Sequence, residues 1–303
     1  MSLASMLDNF VRRSFAARLV PYLKKTNPRL YTWGLKLRDV LLPVRSEFDL
    51  SRYQIRAIER FIALTRPDWS VSEILEIGSD DDAKVLREFE RLGARAVTGI
   101  NPYLDIWRDI PSGKRELSPT CVLANSDVRK LPFKNESFTS VFSVAVLEHI
   151  NDLATALSEI HRVLKPGGYV YAEFGPIWSC SVGHHVYAVV DGEEARHWKP
   201  EKNPVPNYAH LLLAPHQMRP LLQERVSEKL LSAILEWIYE KPNINRLFFE
   251  DYDRLFKESE FEILALNTVD EHVSSTMLKK LCDKHPGYKK FSVRNVEVLL
   301  KKT

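Results

Sequence analysis

The sequence predicts an α/β fold: a seven-stranded, mostly parallel sheet with helices on both faces, plus a helical cap insertion. Three observations support this prediction. Short apolar runs alternate with segments of helical spacing, glycines close those segments, and a stretch rich in Pro, His and aromatic residues then breaks the alternation. Alternating strands and helices build a parallel sheet because each crossover helix packs back onto the sheet.

The elements follow one another as this architecture requires. Apolar runs typical of buried strands occupy 71–77, 96–100, 120–124, 139–145 and 169–174. Apolar residues at helical spacing predict helices over 50–66, 82–93 and 151–164, the last one stopped by Pro166-Gly167-Gly168. Two late strands, 261–266 and 293–300, complete the set of seven, with a helix over 247–258 before the first of them.

Composition divides the chain into four parts. Residues 1–45 are predicted as a basic amphipathic extension, residues 46–175 as the ligand-binding core, and residues 176–245 as a cap insertion. Residues 246–303 then supply a helix and the last two strands of the core sheet. Ligands of such sheets lie beyond the carboxyl ends of the strands, so a cap there is a natural cover for a substrate.

Bulk properties are those of an ordinary soluble globular chain. The 303 residues are 45% hydrophobic and 27% charged, with no apolar run of about 18 residues and no signal-peptide pattern. The cysteines, Cys121, Cys180 and Cys282, lack metal-site spacing, which favours free thiols in a reducing compartment. We therefore expect a cytoplasmic protein.

Positive charge is concentrated at the start of the chain. Residues 1–45 hold nine Lys or Arg against two Asp, a net charge of +7, whereas the remainder is net −4. A basic, aromatic, amphipathic segment can contact the inner membrane face or a phosphate-bearing partner; the alternative is a helical extension packed on its own domain. A nucleic-acid partner is not expected, because the body is acidic and carries no appended RNA-binding module.

Four signatures follow one another along residues 50–175. They are Leu75-Glu76-Ile77-Gly78, Asp127-Val128-Arg129-Lys130-Leu131-Pro132-Phe133 with Ser137-Phe138 behind it, Val146-Leu147-Glu148-His149, and Arg162-Val163-Leu164-Lys165-Pro166-Gly167-Gly168. In this order and spacing the chain resembles the class I S-adenosylmethionine (SAM) dependent methyltransferases, specifically the type 11 group. The resemblance implies a Rossmann-like core, SAM as cofactor and methyl transfer as the activity. A nicotinamide-binding oxidoreductase would need Gly-x-Gly-x-x-Gly after the first strand, and that pattern is absent, as is a Walker loop.

The resemblance also implies which residues bind the cofactor. Gly78 would let backbone N–H groups approach the amino-acid tail, and Glu76 would orient that turn or the ammonium group. Asp127 matches the residue that meets the adenine amino group, and Val128 would offer its backbone N–H to the ring. The predicted cofactor-binding set is Glu76, Gly78, Ser79, Asp80, Asn101, Asp127, Val128, Ser143 and Val144.

Two positions depart from the family pattern. Ser79-Asp80-Asp81-Asp82 stands where further glycines are usual, and Asn101 replaces the acid that normally holds both ribose hydroxyls. An amide can accept from one hydroxyl but lacks the charge-assisted, two-point contact of a carboxylate. Asp80 or Asp81 either compensates or only caps the next helix. These departures leave open a catalytically silent fold that serves as a partner-binding module.

Histidines after the fourth and fifth strands are the candidate catalytic residues. A hydroxyl acceptor must lose a proton, and His149, His184 and His185 stand where the acceptor is expected. Capping, packing or loop hydrogen bonding is the alternative for each. No metal is expected, since adjacent histidines rarely ligate one ion without a carboxylate; Glu173 and Asp191 are the nearby candidates.

The acceptor predicted from these features is a small polar hydroxylated molecule. Aromatic side chains near the histidines, such as Trp178 and Tyr187, can stack on the face of a sugar, whereas Trp198 is interpreted as cap packing. Resemblance to enzymes of glycan pathways favours O-methylation of a sugar or glycan intermediate.

Overall fold

The computed structural model describes residues 47–102 and 113–303. The basic extension over residues 1–45 lies outside the described residues, so its contact with a membrane or a phosphate-bearing partner stays a prediction. Residues 56–303 form one compact unit, which carries the features discussed below. None of the helices within the described ranges combines the length and the apolar character that crossing a bilayer requires.

Helices and strands alternate through the first part of this region. In chain order they are α1 (Arg52–Thr65), β1 (Glu73–Ile77), α2 (Lys84–Arg91), β2 (Ala96–Ile100), β3 (Lys114–Ser118), β4 (Cys121–Ala124), β5 (Phe138–Val144), α3 (Leu153–Val163), β6 (Leu164–Phe174), β7 (Tyr187–Val190), β8 (Glu193–Arg196), α4 (Ala209–Leu212), α5 (Pro215–Gln223), α6 (Glu228–Tyr239), α7 (Phe249–Glu258), β9 (Phe261–Asp270), α8 (Ser275–Lys284) and β10 (Val293–Lys302). A single 3₁₀ turn, Leu147–His149, follows β5.

The central sheet confirms the predicted α/β class. Its strand order is β3-β4-β2-β1-β5-β6-β10-β9, with β4, β2, β1, β5 and β6 parallel and β10 antiparallel to both of its neighbours. The sheet has eight strands rather than seven, because Lys114–Ser118 pairs antiparallel with β4 at one edge. That strand is charged and exposed along most of its length, so no apolar run marks it in the sequence.

The sheet is buried by aromatic packing on one face and by helices α3 and α7 on the other. On the first face, Phe142 of β5 stacks on Tyr171 of β6 at a centroid distance of 5.7 Å, and Phe61 and Phe89 meet Phe142 edge-on at 5.7 and 5.1 Å. These four rings are fully buried, so each removes a large apolar surface from water. The resulting rigid sheet fixes the positions of the loops at its carboxyl edge.

A second hydrophobic core joins the cap to α8 in the C-terminal part of the chain. Residues of α6, among them Leu231 and Ile234, pack there with Leu281 of α8 and with Val186 and Ala188 of the hairpin. The sequence indicated only one helix in this region, yet the cap also contains the hairpin β7–β8 and the shorter helices α4 and α5. The hairpin turn is Asp191-Gly192, with φ of 50° and 85°. This residue pair is typical of a two-residue hairpin turn, although no hairpin was predicted here.

Candidate functional site

The turn after β1 is held in a left-handed conformation at Gly78. Its φ is +85°, and a Cβ placed on it would lie 2.1 Å from Cγ2 of Val146, so only glycine fits. The N–H groups of Gly78 and Ser79 both donate to the carbonyl of Ile100, at 2.8 and 3.1 Å. The backbone therefore ties the end of β1 to the end of β2.

Glu76 is a buried carboxyl group directly before this turn. The Ser79 hydroxyl donates to its Oε2 at 2.8 Å. Burial raises the pKa of Glu76 to about 8, and the nearby charge of Asp80 adds to the rise. A buried acid of this kind gains free energy when a cation arrives, which is what the ammonium end of SAM would supply.

Asn101, at the end of β2, belongs to the same corner. Its Nδ2 donates to the carbonyl of Ser79 at 3.0 Å, so the residue that replaces the usual ribose acid also braces the loop. Asp80 is exposed, and its Oδ1 accepts the N–H of Lys84 at 3.2 Å in the first turn of α2. This hydrogen bond supports the alternative that Asp80 caps α2. Oδ1 of Asp81 is buried without a partner among the described residues.

Asp127 lies beyond the end of β4, where the resemblance puts the adenine contact. Its carboxylate is paired with Arg129, and hydrogen bonds from that guanidinium hold the pKa of Asp127 below its usual range. Val128 beside it is buried. On the other side of β1, Ser143 of β5 donates its hydroxyl to the carbonyl of Ile77 at 3.2 Å, and Val144 is half-buried next to it.

These residues fit a SAM site. Strands β4, β2, β1 and β5 are parallel neighbours, so Asp127, Asn101, Glu76 and Ser143 come from strand ends along one edge. Parallel α/β sheets bind ligands at this edge. The strongest observation in favour is the buried Glu76 carboxyl, whose charged form has no cationic partner among the residues that the structure describes.

The turn Leu147–His149 lies where the sequence predicts the acceptor side of the site. Glu148 is 1% exposed; its Oε1 accepts the N–H of Gly175 at 3.0 Å, and its Oε2 is buried without a partner among the described residues. Burial raises the pKa of Glu148. Asn245 clamps the turn from outside: its Nδ2 donates to the carbonyls of Leu147 and Ile150 at 2.8 and 3.2 Å.

His149 and His185 meet at this turn, although they follow different strands. Their ring centroids are 5.0 Å apart, edge to face. Nδ1 of His149 donates to the carbonyl of Asn243 at 2.5 Å, and Nε2 of His185 donates to the carbonyl of Pro176. Burial holds the pKa of His185 well below its usual range, so this imidazole is uncharged at neutral pH.

The adjacent His184 points elsewhere. It is fully buried, its Nδ1 accepts the N–H of Val186 at 3.1 Å, and its ring lies 5.3 Å from that of His210. His184 therefore sits with His210 at the base of the cap, and its predicted catalytic role has no supporting contact with His149 or Glu148 in the structure.

Glu148 and His197 also belong to this region, although no role was predicted for either residue. The ring of His197 stacks on His185 at 4.6 Å and meets Trp198 at 4.9 Å, and Trp198 lies 5.6 Å from Tyr187. Trp198 packs against Tyr187 and His197 of the cap, as interpreted, although 48% of it is exposed, whereas Trp178 is buried. Glu148 belongs to one of the four signatures, but its place in the sequence does not indicate that its Oε2 is buried without a partner among the described residues.

Glu148, His149 and His185 form a compact set of possible ligands. One donor atom from each lies within 4.8 Å of the other two. The carboxylates suggested by the sequence are not the ones that join the histidines. Asp191 is exposed and pairs with Lys229 at 2.6 Å, and Glu173 lies beside Tyr171 and faces the charge of Glu297.

A family model described as a methyltransferase domain matches residues 75–172. This segment is a methyltransferase domain. It spans the turn after β1, Asn101, Asp127 and the Glu148-His149 turn, which are the features assembled above. The predicted class I methyltransferase core, with SAM as its cofactor, is confirmed.

Similar proteins of known or assigned activity cover only part of the chain. A cycloartenol-C-24-methyltransferase of Arabidopsis thaliana is 31% identical over 142 residues, which are 45% of this chain and 40% of that protein. A demethylmenaquinone methyltransferase of Streptomyces avermitilis is 44% identical over 63 residues, 20% of this chain and 27% of that protein. Among solved structures, a SAM-dependent methyltransferase from Mesorhizobium loti is 13% identical, with a TM-score of 0.48 over 81% of this chain and 97% of that one.

Proposed function

We propose that this chain is a SAM-dependent methyltransferase that methylates a hydroxyl group of a small polar acceptor, such as a sugar or glycan intermediate. The methyltransferase domain supports the transfer chemistry. The observation that carries the acceptor class is a continuous line of rings from Tyr187 and Trp198 on the cap, through His197 and His185, to His149 at the sheet edge.

The cap end of this line suits the body of such an acceptor. Tyr187 and Trp198 are 43% and 48% exposed, their rings lie 5.6 Å apart, and the guanidinium of Arg196 lies over both rings at 5.1 and 5.6 Å, which leaves part of their aromatic surface open. Exposed aromatic faces cover the C–H surface of a sugar ring while leaving its hydroxyls to polar partners. An acceptor resting there would reach towards the histidines at the sheet edge.

The inner end suits the reacting hydroxyl. SAM supplies an electrophilic methyl group when bound, and the acceptor oxygen must approach it while losing a proton. The polar side chains of Glu148, His149 and His185 converge at this end, where they would meet the acceptor hydroxyl. Glu76 would hold the ammonium end of the cofactor, and Asp127 with Val128 the adenine.

A carbon acceptor is less well supported. The cycloartenol and demethylmenaquinone enzymes are named for other acceptors, but each matches less than half of this chain. A sterol needs an extensive apolar cavity. The acceptor edge here instead carries a buried carboxyl group and histidines, which favours a polar acceptor.

The proposal can be tested with SAM labelled with carbon-13 in its methyl group. The protein is incubated with labelled SAM and a small-molecule extract, and the products are examined by NMR. We expect a new O-methyl resonance that is lost in His185→Ala. Label found only in C-methyl or N-methyl products would overturn the acceptor class.

Two observations favour a second candidate, a silent methyltransferase fold that binds a partner. The N–H groups of Gly78 and Ser79 already donate to the carbonyl of Ile100, and the Asp127 carboxylate already pairs with Arg129. These groups would have to leave their present partners to bind SAM. Calorimetric titration with SAM and S-adenosylhomocysteine separates the two functions. Binding of either ligand supports the enzyme, and absence of binding at concentrations far above cellular levels supports the silent fold.

A further inference from the structure

Three metal-ligating side chains converge on the acceptor side of the sheet edge. Glu148 and His149 come from the turn after β5, and His185 comes from the loop after β6. With one donor atom of each within 4.8 Å of the others, the set needs little movement to share an ion. Zinc holds nitrogen and oxygen ligands at about 2.0–2.2 Å, so donors around one ion lie up to about 4 Å apart.

Both histidines are already fixed in the tautomer that a metal requires. A carbonyl oxygen can only accept, so Nδ1 of His149 and Nε2 of His185 carry the protons they donate to Asn243 and Pro176. When the rings bind a metal, the lone pairs that coordinate it are therefore those of Nε2 of His149 and Nδ1 of His185. Metal-bound histidines nearly always donate their second nitrogen to a carbonyl or carboxylate in this way.

Glu148 provides a second, independent indication that this cluster binds a ligand. One oxygen is satisfied by the N–H of Gly175, while the other is buried without a partner within the described part of the chain. A buried carboxylate with an open lone pair is costly unless a proton or a cation satisfies it. With His149 and His185 beside that oxygen, a metal cation would complete the group.

We propose that Glu148, His149 and His185 bind one divalent transition-metal ion, with zinc the best match. Two imidazoles and one carboxylate are a ligand set that zinc uses with an open coordination position. This inference rests on the proposed function and deepens it: the open position takes the acceptor hydroxyl.

The ion gives the acceptor oxygen a route to lose its proton. Coordination lowers the pKa of a bound hydroxyl, so its proton passes to water and the oxygen keeps the electron pair. That pair forms the new O–CH₃ bond as the bond between the methyl carbon and sulfur breaks. The products are a methyl ether and S-adenosylhomocysteine, with no net redox change.

Metal binding is measured on the full chain without a histidine tag, stripped with a chelator and titrated with ZnCl₂ by calorimetry. We expect one ion per chain, and affinity at least about tenfold weaker in Glu148→Gln, His149→Ala and His185→Ala. His216→Ala is the matched control, because this exposed histidine lies outside the set and its loss should leave zinc affinity unchanged. Equal zinc affinity in the three ligand variants and the control would overturn the site.

Cobalt spectroscopy uses the unaltered protein, so it tests the metal site even if a ligand variant fails to fold. Cobalt(II) bound by the unaltered protein should give visible absorption bands of a low-coordinate nitrogen and oxygen site, which added zinc abolishes. Absence of these bands overturns the metal site. If chelator-stripped protein transfers methyl groups at an undiminished rate, the metal site is refuted and the proposed function stands. If the protein binds zinc but not SAM, the metal site stands and the proposed function is refuted.

Discussion

The carboxylate of Asp127 and the guanidinium of Arg129 form a two-point ion pair, with Nε 3.0 Å from Oδ1 and Nη2 2.5 Å from Oδ2. Both side chains are well exposed, 39% and 45% respectively. Pairs of this kind contribute about 1 kcal/mol or less, because water screens the charges and the side chains lose freedom. The pair therefore presents only a small barrier to a ligand that needs the Asp127 carboxylate.

We predict that Asp127→Ala weakens SAM binding by about 1–3 kcal/mol, since the adenine amino group loses its partner. Arg129→Ala is the matched control. It removes the competing cation and leaves the carboxylate, so SAM affinity should stay the same or increase. Titration calorimetry with S-adenosylhomocysteine measures both variants. Unchanged affinity in Asp127→Ala would move the adenine contact to another residue.

The parts of the fold with strong periodicity were predictable. Strand β2 has the bounds expected from its apolar run, and α3 lies within its predicted range because Leu157 and Ile160 recur on one face. The charged edge strand β3 and the cap hairpin were missed, since neither buries a continuous apolar run. Apolar periodicity reports burial, so it cannot reveal elements held mainly by backbone pairing.

The candidate site likewise contains residues that could be located from the sequence and contacts that could not. Glu76, Asn101 and Asp127 were located because their strands end where the sequence says they do. That His185 joins His149 while His184 does not depends on the loop conformation, which has φ of 49° at His185. The buried, half-satisfied Glu148 depends on the approach of Gly175 from the end of β6. Such contacts between distant segments leave no local signal.

Glu76 should make SAM binding depend on pH. Its pKa in the free protein is raised to about 8, so below that pH the group is mostly protonated. A bound ammonium group stabilises the carboxylate and lowers this pKa, and binding below pH 8 therefore releases a proton. Affinity should rise as the pH increases towards 8 and fall again well above it, where the α-amino group of free SAM loses the proton that makes it a cation.

Calorimetry in buffers with different ionisation enthalpies counts the released proton. Glu76→Gln is the matched variant, because the amide keeps the shape of the side chain but cannot titrate. We expect weaker SAM binding in this variant and no proton release from this position. Identical proton release in the variant and the unaltered protein would show that another group titrates.

Gly78→Ala should destabilise the fold through two separable effects. A left-handed conformation costs a residue with a Cβ about 1–2 kcal/mol, and the new methyl group would also collide with Val146 at 2.1 Å. Gly167→Ala is the control, because Gly167 has φ of +76° but no neighbour within 4 Å of the new Cβ. Urea unfolding should show a larger loss of free energy of unfolding at Gly78 than at Gly167.

Truncation of the neighbour identifies the steric part of that loss. In a Val146→Ala background the methyl group at position 78 meets less obstruction, so Gly78→Ala should cost less there than in the unaltered chain. Strict additivity of the two substitutions would mean that backbone strain accounts for the whole effect.

Asn245 positions the turn that carries Glu148 and His149. Its side chain donates to the carbonyls of Leu147 and Ile150, and its N–H donates to the carbonyl of Glu148 at 2.9 Å. Removal of the side chain in Asn245→Ala leaves two carbonyls of the turn without these donors. We expect kcat to fall by about tenfold or more while SAM affinity stays within about twofold, because Asn245 hydrogen-bonds to none of the predicted cofactor-binding residues.

Asn151→Ala is the control, because it removes another hydrogen bond between the same two segments, residues 147–151 and residues 242–245. Nδ2 of Asn151 donates to the carbonyl of Pro242 at 3.0 Å, but this bond lies beyond the turn that holds Glu148 and His149. Its loss should lower the free energy of unfolding by about 1 kcal/mol, as is typical of one hydrogen bond, with little change in kcat. If both variants lose stability and turnover in the same proportion, Asn245 acts through general stability. A selective loss of kcat in Asn245→Ala identifies it as the residue that aligns Glu148 and His149 with the acceptor.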